Sequence, residues 1–111
     1  MTTNTAPQID TAQPVLEIVT FRLAPGADTD AFLTAARGTE AMLRDKGALT
    51  RRFLTVDSDG LWTDVIEWTS HDAALSAAQD VMADPDFQPF MALIDPESAT
   101  MRHAAILWRM D

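Results

Sequence analysis

The sequence predicts an α+β fold with the element order β-α-β-β-α-β and a four-stranded antiparallel sheet that carries its helices on one face. Three observations lead there. A run rich in β-branched and aromatic residues, Val15 to Leu23, opens the domain, and Thr100 to Met110 reads as a last strand near the other end. Two further strand-like runs, Leu49 to Val56 and Leu61 to Thr69, are joined by the turn Asp57-Ser58-Asp59-Gly60 and read as a hairpin. Between these lie two segments whose apolar residues recur at helical spacing. The chain has 111 residues, room for one domain.

Residues 1–14 are rich in Thr, Ala, Gln and Pro and hold few large apolar groups. They can bury too little to offset their ordering entropy and are expected to form a flexible N-terminal tail, with an arm on a partner subunit as the alternative. The domain proper is expected over 15–111. Its first strand, Val15 to Leu23, ends at Pro25-Gly26. Asp28-Thr29-Asp30 then offers N-cap candidates and first-turn acids for a helix. Phe32, Ala35, Ala36, Thr39, Met42 and Leu43 form its buried stripe, and Gly47 follows Arg44 and Lys46 as a C-terminal signal. Gly38 costs ~1 kcal/mol within that helix, which close packing on the sheet would explain.

In the hairpin, Trp62, Asp64, Ile66 and Trp68 share one strand face, while Leu61, Thr63, Val65, Glu67 and Thr69 share the other. Ser70 caps a second helix with Leu75, Ala78, Val81 and Met82 on its apolar stripe. Asp84-Pro85 ends or kinks it, Phe87 to Ile94 continues as an apolar helical piece, and Pro96 stops that piece before the last strand. The order is the ferredoxin-like, split-βαβ arrangement. A monomer of this kind should have one wet sheet face. Here the strands carry large apolar residues on both parities, including Val65, Ile66, Ile106, Leu107 and Trp108. Leaving such a surface open is unusual, so pairing with a second copy into a homodimer is expected.

Asp plus Glu number 17 against 8 for Lys plus Arg, a net charge of −9. That disfavours nucleic acid and anionic membrane surfaces, both of which are bound through cationic neutralisation. There is no cysteine, which removes disulfides, thiol chemistry and thiolate metal sites. No signal-peptide pattern and no apolar run near ~20 residues is present, so a cytoplasmic protein is expected. Gly-rich phosphate loops, Ser-His-Asp order, HExxH and EF-hand patterns are missing, and two distant histidines make no metal cluster. No cofactor and no metal are expected.

The run Glu67-Trp68-Thr69-Ser70-His71-Asp72-Ala73-Ala74 and the later stretch Asp84-Pro85-Asp86-Phe87-Gln88-Pro89-Phe90, set in this element order, resemble the dimeric α/β-barrel superfamily, in particular its antibiotic-biosynthesis-monooxygenase-like (ABM) group. The resemblance covers about Val15 to Met110 and implies a dimeric α/β barrel. The group includes cofactor-independent oxygenases of aromatic polyketides, haem-degrading oxygenases and members without known activity. The haem-degrading branch uses an Asn on strand one, a Trp ending strand three and a His on the second helix. Trp68 matches the Trp, but Val15 to Leu23 holds no Asn, and Ala73 to Ile94 holds no His, Tyr or Cys as an iron ligand. The chain also has no Tyr, a residue on which the polyketide-oxidising branch relies.

What remains is a candidate pocket for a small aromatic or apolar molecule. Trp62 and Trp68 would form its walls, with Asp64 between them as a base or anchor and His103 as a second proton-handling group. Phe87 and Phe90, with Met82 and Met91, would roof it. Each residue has a plainer reading: core packing for the aromatics, an exposed or edge Asp, a surface or hydrogen-bonded His. Arg51 and Arg52 point to opposite faces, either to anchor an anion or to pair with Glu67 or Asp64 across the hairpin. Glu17 is a candidate buried carboxylate. Two functions compete: a cofactor-independent monooxygenase, and a non-catalytic homodimeric ligand-binding or stress-associated module. A cavity of ~300 Å³ beside Trp68, faced by Asp64 or His103, would favour the enzyme.

Overall fold

A computed structural model describes residues 8–111. Its elements are β1 (Val15–Phe21), α1 (Thr29–Gly38), α2 (Glu40–Asp45), β2 (Leu49–Val56), β3 (Trp62–Trp68), α3 (His71–Ala83), α4 (Gln88–Ala92) and β4 (Thr100–Ala105). The four strands form one antiparallel sheet in the order β2-β3-β1-β4. This is the ferredoxin-like α+β arrangement anticipated from the element order.

Local chemistry accounts for the boundaries. The Asp28 carboxylate caps α1 by accepting from the Ala31 amide at 3.1 Å. Ser70 does the same for α3 through the Ala73 amide at 3.0 Å. Asp84 caps the one-turn 3₁₀ segment Pro85–Phe87, which leads directly into α4. In the β2–β3 turn, Gly60 sits at φ 82°, a conformation that a side chain would disfavour. The Asp57 carboxylate accepts from the Asp59 and Leu61 amides and closes the turn.

Three details differ from the sequence reading. The first helical region is broken at Thr39, whose hydroxyl donates to the Ala36 carbonyl at 2.6 Å and accepts from Arg52 at 2.8 Å. Gly38 ends α1 and has nothing within 4 Å of where a Cβ would stand, so close packing is not its role. The last strand stops at Ala105, because its neighbour β1 begins at Val15, the partner of Ala105. Beyond it the Ile106 amide still donates to the Pro14 carbonyl, and Arg109 reaches Glu67.

The anticipated tail falls partly on residues 1–7, outside the described residues. Residues 8–14 are anchored. The Gln13 and Thr11 carbonyls accept from the His71 and Asp72 amides, the Gln13 side chain donates to the Ile106 carbonyl, and Ile9 packs on the core.

The core lies between the sheet and the helices. Val15, Phe21, Trp62, Ile66 and Trp68 from the sheet meet Phe32, Leu43, Ala74, Ala77, Phe87 and Phe90 from the helical side. The opposite sheet face carries Leu16 and Ile18 of β1, Val65 and Glu67 of β3, and Arg51 and the exposed Phe53 of β2. Past β4, Leu107, Trp108 and Met110 stand exposed.

Candidate functional site

Among the described residues, a cavity and a cleft lie on the helical side of the sheet. The apolar one, about 240 Å³, lies between β1, β3 and β4 on one side and α3 and α4 on the other. Ile66, Trp68, Val81, Phe87, Phe90 and Met101 supply much of its wall, and its polar groups are Glu17 and Asp64. Strand periodicity explains why these meet. Glu17 and Val19 alternate onto the same face as Asp64, Ile66 and Trp68, and the β1–β4 register sets His103 opposite Glu17.

The aromatic residues chosen from the sequence divide. Trp68, Phe87 and Phe90 line the cavity, as do Met82 and Met91. Trp62 does not. It lies one ring behind the wall, stacked on Phe21 with centroids 6.4 Å apart and meeting Phe32 edge-on at 4.9 Å. Sharing a strand face placed Trp62 and Trp68 on the same side of the sheet; six residues of strand separate them along it. Trp68 is 1% exposed, and among the described residues its indole N–H is the buried side-chain polar atom left without a partner. An unpaired buried donor carries a desolvation cost of about 1–3 kcal/mol, which an acceptor on a bound molecule would relieve.

Asp64 lines the cavity but is fully engaged. Arg52 grips both its oxygens, Nε to Oδ1 at 2.9 Å and Nη2 to Oδ2 at 2.7 Å, and a third guanidinium nitrogen donates to Thr39. The guanidinium also lies 5.3 Å from the Phe90 ring centroid. The two side chains are 16% and 6% exposed, so this is a buried bidentate pair. Arg51, on the other face, approaches Glu67 at 3.8 Å, so both arginines pair across the hairpin. Glu67 also accepts from Arg109 at 2.8 Å, and that contact above all holds its carboxyl below the ordinary range.

His103 is not part of the cavity wall. Its Nε2 lies 3.2 Å from Glu17 Oε1, and its ring centroid is 5.1 Å from that of His71. Glu17 does face the cavity. Burial pushes its carboxyl above the ordinary value, against the hydrogen bond and charge of His103, with the Asp64 charge adding to the rise. Of the cavity's two carboxylates, Asp64 is gripped by Arg52 and Glu17 is not; Glu17 has His103 behind it. No group of three or more metal-ligating side chains occurs among the described residues.

Comparison with solved structures bears on the fold. A cofactor-independent oxygenase, SnoaB from Streptomyces nogalater, superposes with a TM-score of 0.60 at 23% identity, over 90% of this chain and 97% of that one. A Caulobacter crescentus protein named for the antibiotic biosynthesis monooxygenases gives a TM-score of 0.68 at 11% identity, over 88% and 93%. The chain shares the ferredoxin-like α+β fold of these ABM-like structures. A nipsnap family protein of unknown function from Agrobacterium tumefaciens shares it too, at a TM-score of 0.61 and 23% identity, over 88% and 92%. ABM-like folds thus include both an oxygenase and a protein without assigned function. No family model matches the sequence, and no curated protein matches it.

Proposed function

We propose that this chain binds a small aromatic molecule in the cavity under α3 and α4 and oxidises it as a cofactor-independent monooxygenase. The observation that carries this reading is Glu17, a carboxylate of raised pKa on an apolar cavity wall. A general base works best when its pKa lies near the working pH, and burial moves Glu17 in that direction. Glu17 takes a proton from an acidic C–H or O–H of the substrate and His103 holds the carboxylic acid in place. The resulting anion is the electron donor and dioxygen the oxidant. The anion's carbon adds dioxygen, and the proton returns from Glu17 to give a hydroperoxide. Loss of water across its C–H and O–O bonds leaves a carbonyl, so that one oxygen atom stays on the substrate and the other departs as water. Trp68 supplies one N–H to a substrate oxygen, and Phe87 and Phe90 close the cavity to water. Asp64, bound to Arg52, shapes the wall and is not the base. Two copies pair through the helix-free sheet face, where Leu16, Ile18, Phe53 and Val65 meet their equivalents.

The non-catalytic reading has one observation in its favour. At 240 Å³ the cavity is smaller than the ~300 Å³ at which ligand pockets usually begin. Calorimetric titration with a panel of phenols and quinols, alongside oxygen-electrode assays, separates the two. Oxygen uptake that Glu17→Gln abolishes while binding persists supports the enzyme. Saturable binding without uptake leaves a ligand-binding module, and absence of binding removes both. Light scattering tests the pairing: a mass near that of one chain at micromolar concentration overturns it.

A further inference from the structure

The second cavity has an unrelated chemistry. It is a cleft of about 350 Å³ between the α1–α2 pair and the edge strand β2. Its floor is aliphatic, with Leu33, Ala36, Leu43, Leu49 and Leu54. Around that floor stand Arg37, Arg44 and Arg52, against a single carboxylate, Glu40; Arg51 also borders the cleft, but its guanidinium turns to Glu67 on the other sheet face. Three of the chain's 8 basic residues therefore gather on one cleft of a protein whose net charge is −9. Chance scatter of a few cations over an acidic surface does not favour that grouping. The spacing is helical: residues 33, 36, 37, 40 and 44 fall along one side of α1 and α2.

The arginines are not equally occupied. Arg52 is held by Asp64 and Thr39. Arg44 pairs with Glu40 at 2.9 Å, but the two side chains are 69% and 58% exposed, and such a pair contributes only ~0.2–1 kcal/mol. Arg37, exposed at the last turn of α1, makes no side-chain hydrogen bond or ion pair among the described residues. The cleft thus presents one free and one weakly held guanidinium over a leucine floor.

We propose that this cleft binds a small amphipathic carboxylate, its aliphatic chain on the leucines and its head between Arg37 and Arg44. Carboxylates suit guanidinium geometry because two parallel N–H donors meet two oxygens. Glu40 is the internal competitor: its carboxylate occupies the place on Arg44 that the ligand head takes. This site shares the Leu43 side of its wall with the apolar cavity but none of that cavity's polar groups, and it stands or falls without the proposed oxidation.

Octanoate is the probe, titrated into the full chain and followed by two-dimensional NMR. Saturable shifts should centre on α1, α2 and β2. Octanamide, uncharged but otherwise alike, should bind at least tenfold more weakly, as should octanoate to the Arg37→Gln/Arg44→Gln variant. Glu40→Gln should tighten octanoate binding about threefold or more, a gain that a purely structural role for these exposed side chains would not produce. Circular dichroism confirms that the variants fold. The proposal is overturned if octanamide binds as well as octanoate, if Glu40→Gln fails to tighten binding, or if the shifts centre on Trp68 and Phe87. Inorganic phosphate binding as tightly as octanoate would also overturn it, since the leucine floor would then contribute nothing.

Discussion

Replacing Arg52 by methionine should be among the most costly single changes in this chain. The substitution keeps a long flexible side chain over Phe90 and removes both hydrogen bonds to Asp64 and the one to Thr39. Asp64, with a 6% exposed side chain, is left as a buried charge with no cation beside it. Breaking a buried pair in this way costs about 3–5 kcal/mol, a large share of the ~5–15 kcal/mol that holds a domain together. At roughly 4 °C per kcal/mol for a chain of this size, the melting temperature should fall by on the order of 10–20 °C. Urea denaturation followed by circular dichroism, at neutral pH, reads the cost directly. Two controls bracket it. Arg44→Met removes the exposed partner of Glu40 and should cost under ~1 kcal/mol. The double change Arg52→Met/Asp64→Leu removes both charges and should recover most of the loss. A cost below ~1 kcal/mol for Arg52→Met alone, or a double variant no better than the single, would refute the view that this pair is a desolvated, mutually dependent unit.

Other outcomes follow from the same structure. Because the folded pKa of Glu17 lies above its ordinary value of 4.5, its favourable contribution is present below that pH and is lost as pH rises through the folded pKa. Glu17→Gln should therefore gain stability relative to the parent as pH rises above about 4.5, and a gap that shrinks as pH rises contradicts the raised pKa. Glu67 carries the opposite sign, so its contribution is lost as pH falls through a folded value below 4.5. Ser70→Ala should cost ~1 kcal/mol through loss of the α3 cap, measured by thermal melting. Trp62→Phe should lower stability while leaving the affinity of any cavity ligand unchanged, whereas Trp68→Phe should weaken that affinity two- to tenfold, about one hydrogen bond's worth. Equal effects on affinity would mean that Trp62 reaches the ligand after all.

The fold was legible because its signals are local. The strand Leu49–Val56, the cap at Ser70 and the Asp84-Pro85 break each follow from residues that sit next to one another. The break at Thr39 was not legible, since it depends on Arg52, thirteen positions away, reaching its hydroxyl. The site shows the same division. Alternation put Trp62, Asp64 and Trp68 on one face, yet it cannot say which end of that face a cavity lies under. That is set by where α3 and α4 rest, and it leaves Trp62 in the aromatic core beneath α1. The Glu17–His103 contact needs the β1–β4 register, a pairing between residues 86 positions apart. Burial of Glu17 itself could be anticipated, because it interrupts an apolar central strand.

The three tryptophans occupy three unlike settings. Trp62 is 5% exposed among phenylalanine rings, Trp68 is 1% exposed on the cavity wall, and Trp108 is 77% exposed beyond the last strand. With no tyrosine in the chain, near-ultraviolet emission comes almost wholly from these indoles. A neutral quencher such as acrylamide will extinguish Trp108 first and leave the interior pair shining at shorter wavelength. Since only one of that pair walls the cavity, its light is a built-in gauge of whether the chamber is full. The outer one registers whether anything has settled over the end of the chain.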